Sequence, residues 1–277
     1  MSSPGAEGAA RVGARVVLVT GASAGIGRAC CDRLASSGWT VVGASRRGTA
    51  GEGWTGVVMD VDDDRSVAAG TEEVLAAHGR LDAVVACAGW GLAGAVEETP
   101  IAEAKAQLET NFWGAVRVVR AALPAMRRQG GGRVVLMSSI AGVVAIPFQA
   151  FYSASKFALE GYGEALAYEV APFGVHVTLV EPGNFRTEFT GRRRTVAAPA
   201  DGPYAAAQDR SIGVMVRDEE RGAEPEVVAR AVVRLLGARR PPRRVTVGRL
   251  YERTGPVAKR LLPFGAFQRA ARGSLGV

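Results

Sequence analysis

Short apolar runs recur along the chain, each followed by a stretch of helical periodicity. Arg15-Val-Val-Leu-Val-Thr20 is apolar at successive interior positions, as expected of a strand buried on both faces. Ile26 to Ser36 then reads as a helix closed by Gly38. The same alternation predicts strands at Thr40–Ser45, Val57–Met59, Asp82–Cys87, Arg133–Met137 and Val175–Val180, with a short one at Val245–Val247. Helices are expected over Arg65–His78, in two pieces over Ile101–Arg128, and over Phe151–Ala171 and Pro225–Leu236. Apolar strands alternating with helices imply a parallel sheet covered on both faces. The expected class is therefore α/β, a single doubly wound Rossmann-type domain with a sheet of about seven strands.

Two segments break the rhythm. Asn184 to Gly222 is polar, rich in Arg, Ala and Pro, and too long for an ordinary connection. Long segments of this kind in compact domains are often binding loops, so 184–222 is the candidate substrate loop. The first thirteen residues are Ser, Pro, Gly and Ala with scattered charges. They read as a disordered N-terminus without the apolar core of a signal peptide. The division expected is thus 1–13, a catalytic domain over 14–248, and a C-terminal extension over 249–277.

Composition narrows the classes. Of 277 residues, 48% are hydrophobic and 22% charged, which fits a globular chain and excludes collagen, coiled coil or disorder as the main architecture. Cys30, Cys31 and Cys87 form no CxxC pair, so neither a disulfide framework nor a zinc site is expected, and a reducing, cytoplasmic setting is favoured. His78 and His176 stand apart with no carboxylate pattern, so no metal site is expected. The uncharged run from Val134 to Ser155 is broken by serines, Gly142 and Pro147, which argues against a membrane span.

The net charge of +7 is unevenly placed: residues 239–277 hold ten Arg and Lys against the single acid Glu252. The rest of the chain is close to neutral, which weakens a nucleic-acid reading. Tyr251, Phe264 and Phe267 interleave with arginines in this tail, but Pro and Gly interrupt them and no RNA-binding motif is present. The basic tail has four readings: a cover for the substrate cleft, a contact for an acidic partner, a membrane-surface contact, or solvated surface.

Chemistry enters after the first strand, at Thr20-Gly-Ala-Ser-Ala-Gly-Ile-Gly27. Glycines at 21, 25 and 27 let the backbone turn tightly and approach a pyrophosphate at the N-terminus of the next helix. The motif lies between a strand and a helix, the context it requires. Gly21, Ser23, Gly25, Ile26 and Gly27 are the candidate contacts. At the end of the second strand an NAD site usually carries an acid for the ribose 2′-hydroxyl, but here stand Ser45-Arg46-Arg47. A guanidinium suits a 2′-phosphate, which selects NADP(H) with Arg46 as its contact; the alternative is a pair of solvated loop arginines.

Tyr152 and Lys156 are one helical turn apart, so their side chains share a face. Tyrosine is a poor acid or base at neutral pH, and a nearby cation stabilises its phenolate. There are three lysines against thirty-one arginines, so a lysine at this position points to a specific need for a compact ammonium.

With these motifs in view, the chain resembles a short-chain dehydrogenase/reductase, close to the hydroxysteroid- and retinol-dehydrogenase-like or ketoreductase branch. The resemblance spans about residues 14 to 190. It rests on the Thr20–Gly27 loop, Asp60-Val61, Ala88-Gly89, Asn111, Ser138-Ser139, Tyr152 with Lys156, and Pro182-Gly183 with Thr187. It implies Tyr152 as proton donor or acceptor and Lys156 as the group that holds the ribose and lowers the Tyr152 pKa. Ser139 would hold the substrate oxygen, with Ser138 as the alternative, and Asn111 would maintain a proton-relay water. Asp60 and Val61 would contact adenine, and Ala88, Gly89, Pro182, Gly183 and Thr187 complete the cofactor set.

The resemblance also implies a bulky, largely apolar ketone or alcohol bounded by Trp90, Ile140, Val144, Phe148, Phe185 and Phe189. It implies a dimer or tetramer through the helices around 101–128 and 151–171. One departure stands out: the family's Asn-Asn-Ala-Gly after the fourth strand reads Ala86-Cys87-Ala88-Gly89 here, which puts the local bracing in question. The expected activity is NADPH-dependent reduction of a ketone to a secondary alcohol. The competing class is a non-catalytic NADP(H)-binding regulator.

Overall fold

The computed structural model describes residues 15–277, the side chains of 274 and 275 excepted; the expected disordered segment 1–13 lies outside the described residues. The chain runs β1 (Val16–Thr20), α1 (Gly25–Ser36), β2 (Thr40–Ser45), β3 (Thr55–Val58), α2 (Asp64–His78), β4 (Ala83–Ala86) and β5 (Leu92–Ala93). Next come α3 (Ile101–Leu108), a π-helical turn (Glu109–Gly114), α4 (Ala115–Arg128), β6 (Gly132–Met137), α5 (Ala150–Val170) and β7 (Val175–Pro182). The remainder is α6 (Phe189–Arg192), β8 (Arg194–Thr195), α7 (Ala205–Glu220), α8 (Glu226–Gly237), β9 (Arg244–Val247), α9 (Leu250–Leu261) and α10 (Phe264–Leu275).

Seven strands form one sheet in the order β3-β2-β1-β4-β6-β7-β9, and every pairing is parallel. Because strand side chains alternate between faces, Val16 and Leu18 pack with α2, α4 and α5, while Val17 and Val19 pack with α1 and α8. The chain thus buries β1 from both sides, the reason its sequence is apolar at consecutive positions. From β1 the chain moves outward through β2 and β3, then returns to β4 on the other side. The crevice at the carboxyl ends of β1 and β4 is the topological switch point, where ligands bind in open α/β sheets.

Local chemistry sets the helix ends. Asp63 caps α2 by accepting the Ser66 N–H at 2.6 Å, and Gly79 ends it in the left-handed region at φ 68°. The segment 184–222 is more ordered than its composition suggests. It contains α6, the strand β8 paired in parallel with β5, and the sixteen-residue helix α7. Alanine's high helix propensity supports α7, and Gln208, Ser211 and Met215 are its buried positions. The basic tail is also helical: α9 packs near Ile140–Gly142 and α10 against α7. Among the described residues no helix is long and apolar enough to cross a membrane.

Candidate active site

A cavity of about 600 Å³ opens at the switch point. Its floor is the loop between β1 and α1, where Gly21 and Gly25 adopt φ of 70° and 54°, conformations that favour glycine. A Cβ on Gly27 would lie 2.3 Å from the Gly21 carbonyl oxygen, so only glycine lets α1 start this close to the strand. The α1 N-cap, Ala24, offers no side chain, and the first turn holds no acid. The N–H groups at this end are therefore left for an anion. The Gly25 N–H in fact donates to the Glu188 carboxylate at 3.0 Å. A carboxylate drawn to this loop shows that the residues fit a phosphate-bearing cofactor.

Gly21, Ser23, Gly25, Ile26, Gly27, Arg46, Asp60, Val61, Ala88, Gly89, Pro182, Gly183 and Thr187 all line this one cavity. Arg46 and Arg47 are both exposed, but only Arg46 lines the cavity. Among the described residues Arg46 forms no ion pair. The missing asparagines after β4 are answered locally, since the Thr20 hydroxyl accepts the N–H groups of both Cys87 and Ala88 at 3.1 Å. Cys87 is half-buried on the cavity wall, and its hydrogen bond with Cys30, together with burial, pushes the Cys30 thiol far up.

At the other end of the cavity, α5 delivers Tyr152 and Lys156 from successive turns, both buried. The Lys156 Nζ donates to the Met137 carbonyl at 2.8 Å and stands 5.8 Å from the Tyr152 ring centroid. Burial alone moves these two groups in opposite senses, because it disfavours whichever form is charged. Contrary to the expectation that Lys156 lowers it, the Tyr152 pKa is pushed up to about 12 by burial, with the Ser139 hydrogen bond and Arg193 pulling it back and Glu219 adding to the rise. Lys156 is brought down to about 8 by burial, opposed by Cys87 and Glu160.

The two serines differ sharply. Ser139 hydrogen-bonds Tyr152, accepts the Ala141 N–H at 3.1 Å and reaches the Pro182 carbonyl at 3.4 Å. Among the described residues the buried Ser138 Oγ has no hydrogen-bond partner, and a Cβ on Gly142 would lie 2.7 Å from it. Asn111 sits in the π-helical turn between α3 and α4, behind Gly89 rather than on the cavity wall. It accepts the Trp90 N–H at 3.0 Å and donates to the Trp90 carbonyl at 3.0 Å and the Ser155 hydroxyl at 3.2 Å. A π-turn of this kind re-aims one side chain within a helix; here it pins the β4 loop to α5.

The six residues expected to bound a substrate divide between the cavity and the rest of the fold. Trp90, Phe185 and Phe189 line the cavity, and the Phe189 ring lies 5.7 Å from that of Tyr152. Ile140, Val144 and Phe148 do not line it; Ile146 and Gln149 do. Phe148 is instead turned by its positive φ of 56°, and its carbonyl accepts the Gly94 N–H at 2.8 Å. The Trp90 indole donates to Thr110, whose hydroxyl donates to Asp62, so its ring is fixed by a chain of hydrogen bonds. Glu219 reaches the wall from α7 and is paired with the buried Arg193. Glu188, Asp62, and the Arg193–Glu219 pair carry no motif that would have marked them in the sequence.

A doubly wound parallel sheet with a glycine-lined anion cradle at its switch point defines a dinucleotide-binding α/β protein. The chain belongs to the short chain dehydrogenase family, whose family model matches residues 15–197. It is 38% identical to the 3-ketodihydrosphingosine reductase of Bacteroides thetaiotaomicron over 93% of this chain and 97% of that one. It is 35% identical to the retinol dehydrogenase 8 of Bos taurus, covering 83% of this chain and 80% of the relative. A solved short-chain dehydrogenase from Streptomyces avermitilis superposes with a TM-score of 0.80 at 34% identity, over 94% of this chain and 98% of that structure. The chain is therefore an oxidoreductase of the kind that acts on alcohols and ketones with a nicotinamide dinucleotide.

Proposed function

We propose that this protein is an NADP(H)-dependent ketone reductase, reversible as an alcohol dehydrogenase. The observation that carries the reading is the convergence of Ser139, Tyr152 and Lys156 on the cavity that the glycine loop floors. A nicotinamide cofactor bound in this cavity would supply the hydride for the carbonyl carbon, or accept it in the reverse direction. Ser139 holds the carbonyl oxygen, and Tyr152 gives it a proton. A phenol pushed up to about 12 keeps its proton through the neutral range, which suits donation to a nascent alkoxide. Lys156, buried and anchored on Met137, presents its ammonium to the cofactor ribose beside Tyr152. Asn111 braces Trp90 against α5 and so keeps the two walls of the cavity in register.

Arg46 on the cavity wall, with no acid at the end of β2, supports NADP(H) over NAD(H). The aromatic wall of Trp90, Phe185 and Phe189 supports a bulky, largely apolar carbonyl, of steroid, retinoid or polyketide type. The names of two relatives, a 3-ketodihydrosphingosine reductase and a retinol dehydrogenase, agree with an apolar substrate. The segment 184–222, which brings Phe185, Phe189 and Glu219, acts as the substrate loop. Exposed Trp113 in the π-helical turn, Tyr168 on α5 and Phe173 just after it support a homo-oligomer through the helical stretches around 101–128 and 151–171, and three free thiols support a reducing, cytoplasmic setting. The test is a panel of apolar ketones followed by NADPH absorbance, with Tyr152→Phe alongside. The wild type turns over and the variant binds NADPH with turnover reduced at least ~100-fold; tight NADPH binding with no turnover of any ketone would point instead to a non-catalytic regulator.

A further inference from the structure

We infer that α9 and α10 form a docking surface for an anionic lipid bilayer. α9 is amphipathic with its apolar side turned outward. Glu252 and Pro256 face the protein body, and Lys259 is held inward by the Val143 carbonyl at 2.5 Å, over the Phe157 ring. On the opposite side Leu250, Val257 and Leu261 follow one another at helical spacing and are 76%, 53% and 78% exposed. Leu262, just after α9, and Phe264, at the start of α10, are also exposed, the latter 67%. Such a contiguous row is rare on a surface that meets only water.

The charges beside the row decide what covers it. Arg253 and Arg260 flank it at helical spacing on α9, and Arg269 and Arg272 on α10 are exposed as well. The one acid of residues 239–277, Glu252, is buried and spent on backbone N–H groups. An apolar stripe flanked by cations, in a segment with no exposed acid of its own, matches the boundary between anionic headgroups and acyl chains. A second copy meeting this face about a twofold axis would set the same arginines against one another, which disfavours self-association here. The face also has a useful position: α9 abuts Ile140–Gly142, immediately after Ser139, and α10 packs on α7, which carries Glu219 to the cavity wall. A protein seated by this face would hold its substrate side near the bilayer, where apolar ketones partition. The surface itself does not depend on the reading of the reaction.

The test is sedimentation of the full chain with vesicles of phosphatidylcholine, with and without phosphatidylglycerol, in the absence of cofactor and ketone. Binding is expected only to the phosphatidylglycerol vesicles, weakening as salt rises. Leu261→Ser with Phe264→Ser, and separately Arg253→Glu with Arg260→Glu, should each lower the partition coefficient at least ~10-fold. Both should leave the melting temperature and turnover of a water-soluble ketone unchanged. Failure to bind phosphatidylglycerol vesicles, or equal binding to phosphatidylcholine alone, overturns the proposal. So does a dimer in solution that falls to monomer in the Leu261→Ser, Phe264→Ser variant. Because vesicle binding is read without turnover, its failure is distinct from failure of the proposed reaction.

Discussion

Glu252 accepts the backbone N–H of Asn184 at 2.9 Å, joining the last part of the chain to the turn that follows β7. Its other oxygen accepts the Arg249 N–H at 2.6 Å. The carboxylate fills the space that a Cβ on Gly183 or Gly248 would occupy, at 2.5 and 2.4 Å. Pro182, Gly183 and Asn184 all line the cavity, so α9 fixes part of the proposed cofactor wall. Glu252→Ala leaves a backbone donor unsatisfied, a loss of about 1–3 kcal/mol. The expected result is a lower melting temperature and a several-fold higher KM for NADPH, with kcat changed less. Glu252→Gln keeps an acceptor for Asn184 and should recover most of the affinity. An unchanged cofactor KM in Glu252→Ala would remove the positioning role.

Glu188 occupies the anion cradle of the glycine loop through the Gly25 N–H. A phosphate arriving at the same end of α1 meets a resident negative charge, whose repulsion opposes binding. Glu188→Gln removes that charge at nearly constant shape. The expected outcome is a cofactor KM lowered several-fold, most visibly at low ionic strength, measured by NADPH titration. A raised KM would show that Glu188 supports the cofactor rather than competing with it.

Arg46 is the candidate for the 2′-phosphate, being on the cavity wall and without an ion-pair partner among the described residues, while Arg47 lies off the wall. Arg46→Asp should reduce kcat/KM with NADPH at least ~10-fold, as the loss of one charge-assisted hydrogen bond implies. It should also raise the relative use of NADH, since a carboxylate suits a free 2′-hydroxyl. Arg47→Asp should do little. Equal losses in the two variants would assign the preference to diffuse charge instead.

These experiments separate what the sequence shows from what only packing shows. The central strands were legible because each is buried on both faces, so its apolar run is continuous; Val16 to Val19 feed two cores at once. The glycine loop and the Tyr152/Lys156 spacing were legible because local backbone geometry dictates them. β5 and β8 escaped notice because two-residue strands carry no pattern. α7 carries no clear apolar stripe, because Gly213 interrupts it and polar Gln208 and Ser211 take buried positions. The contacts of Glu188 with Gly25, Arg193 with Glu219 and Glu252 with Asn184 join residues distant in the chain. Periodicity says nothing about such pairs, and the expected substrate residues Ile140, Val144 and Phe148 missed the cavity for the same reason.

The burial of Lys156 makes a prediction whose sign is fixed by proton linkage. In the cofactor-free protein burial brings its ammonium down to about 8, while in the unfolded chain it titrates near ~10.4. Between these values the unfolded state holds more protons, so the contribution of this group to stability rises with pH over that window and is flat below it. Below about pH 8 the folded protein carries a buried cation that is better solvated when unfolded. Lys156→Met removes that burden, and it also removes the ammonium that the proposed reaction needs. Relative to wild type, its melting temperature should therefore be most favourable near pH 7 and lose that advantage progressively as pH rises from about 8 to 10, with turnover abolished throughout. Paired thermal melts across this range read the difference directly and cancel the titration of other groups. A gap between the two proteins that stays constant from pH 7 to 10 would mean that Lys156 is not a desolvated cation.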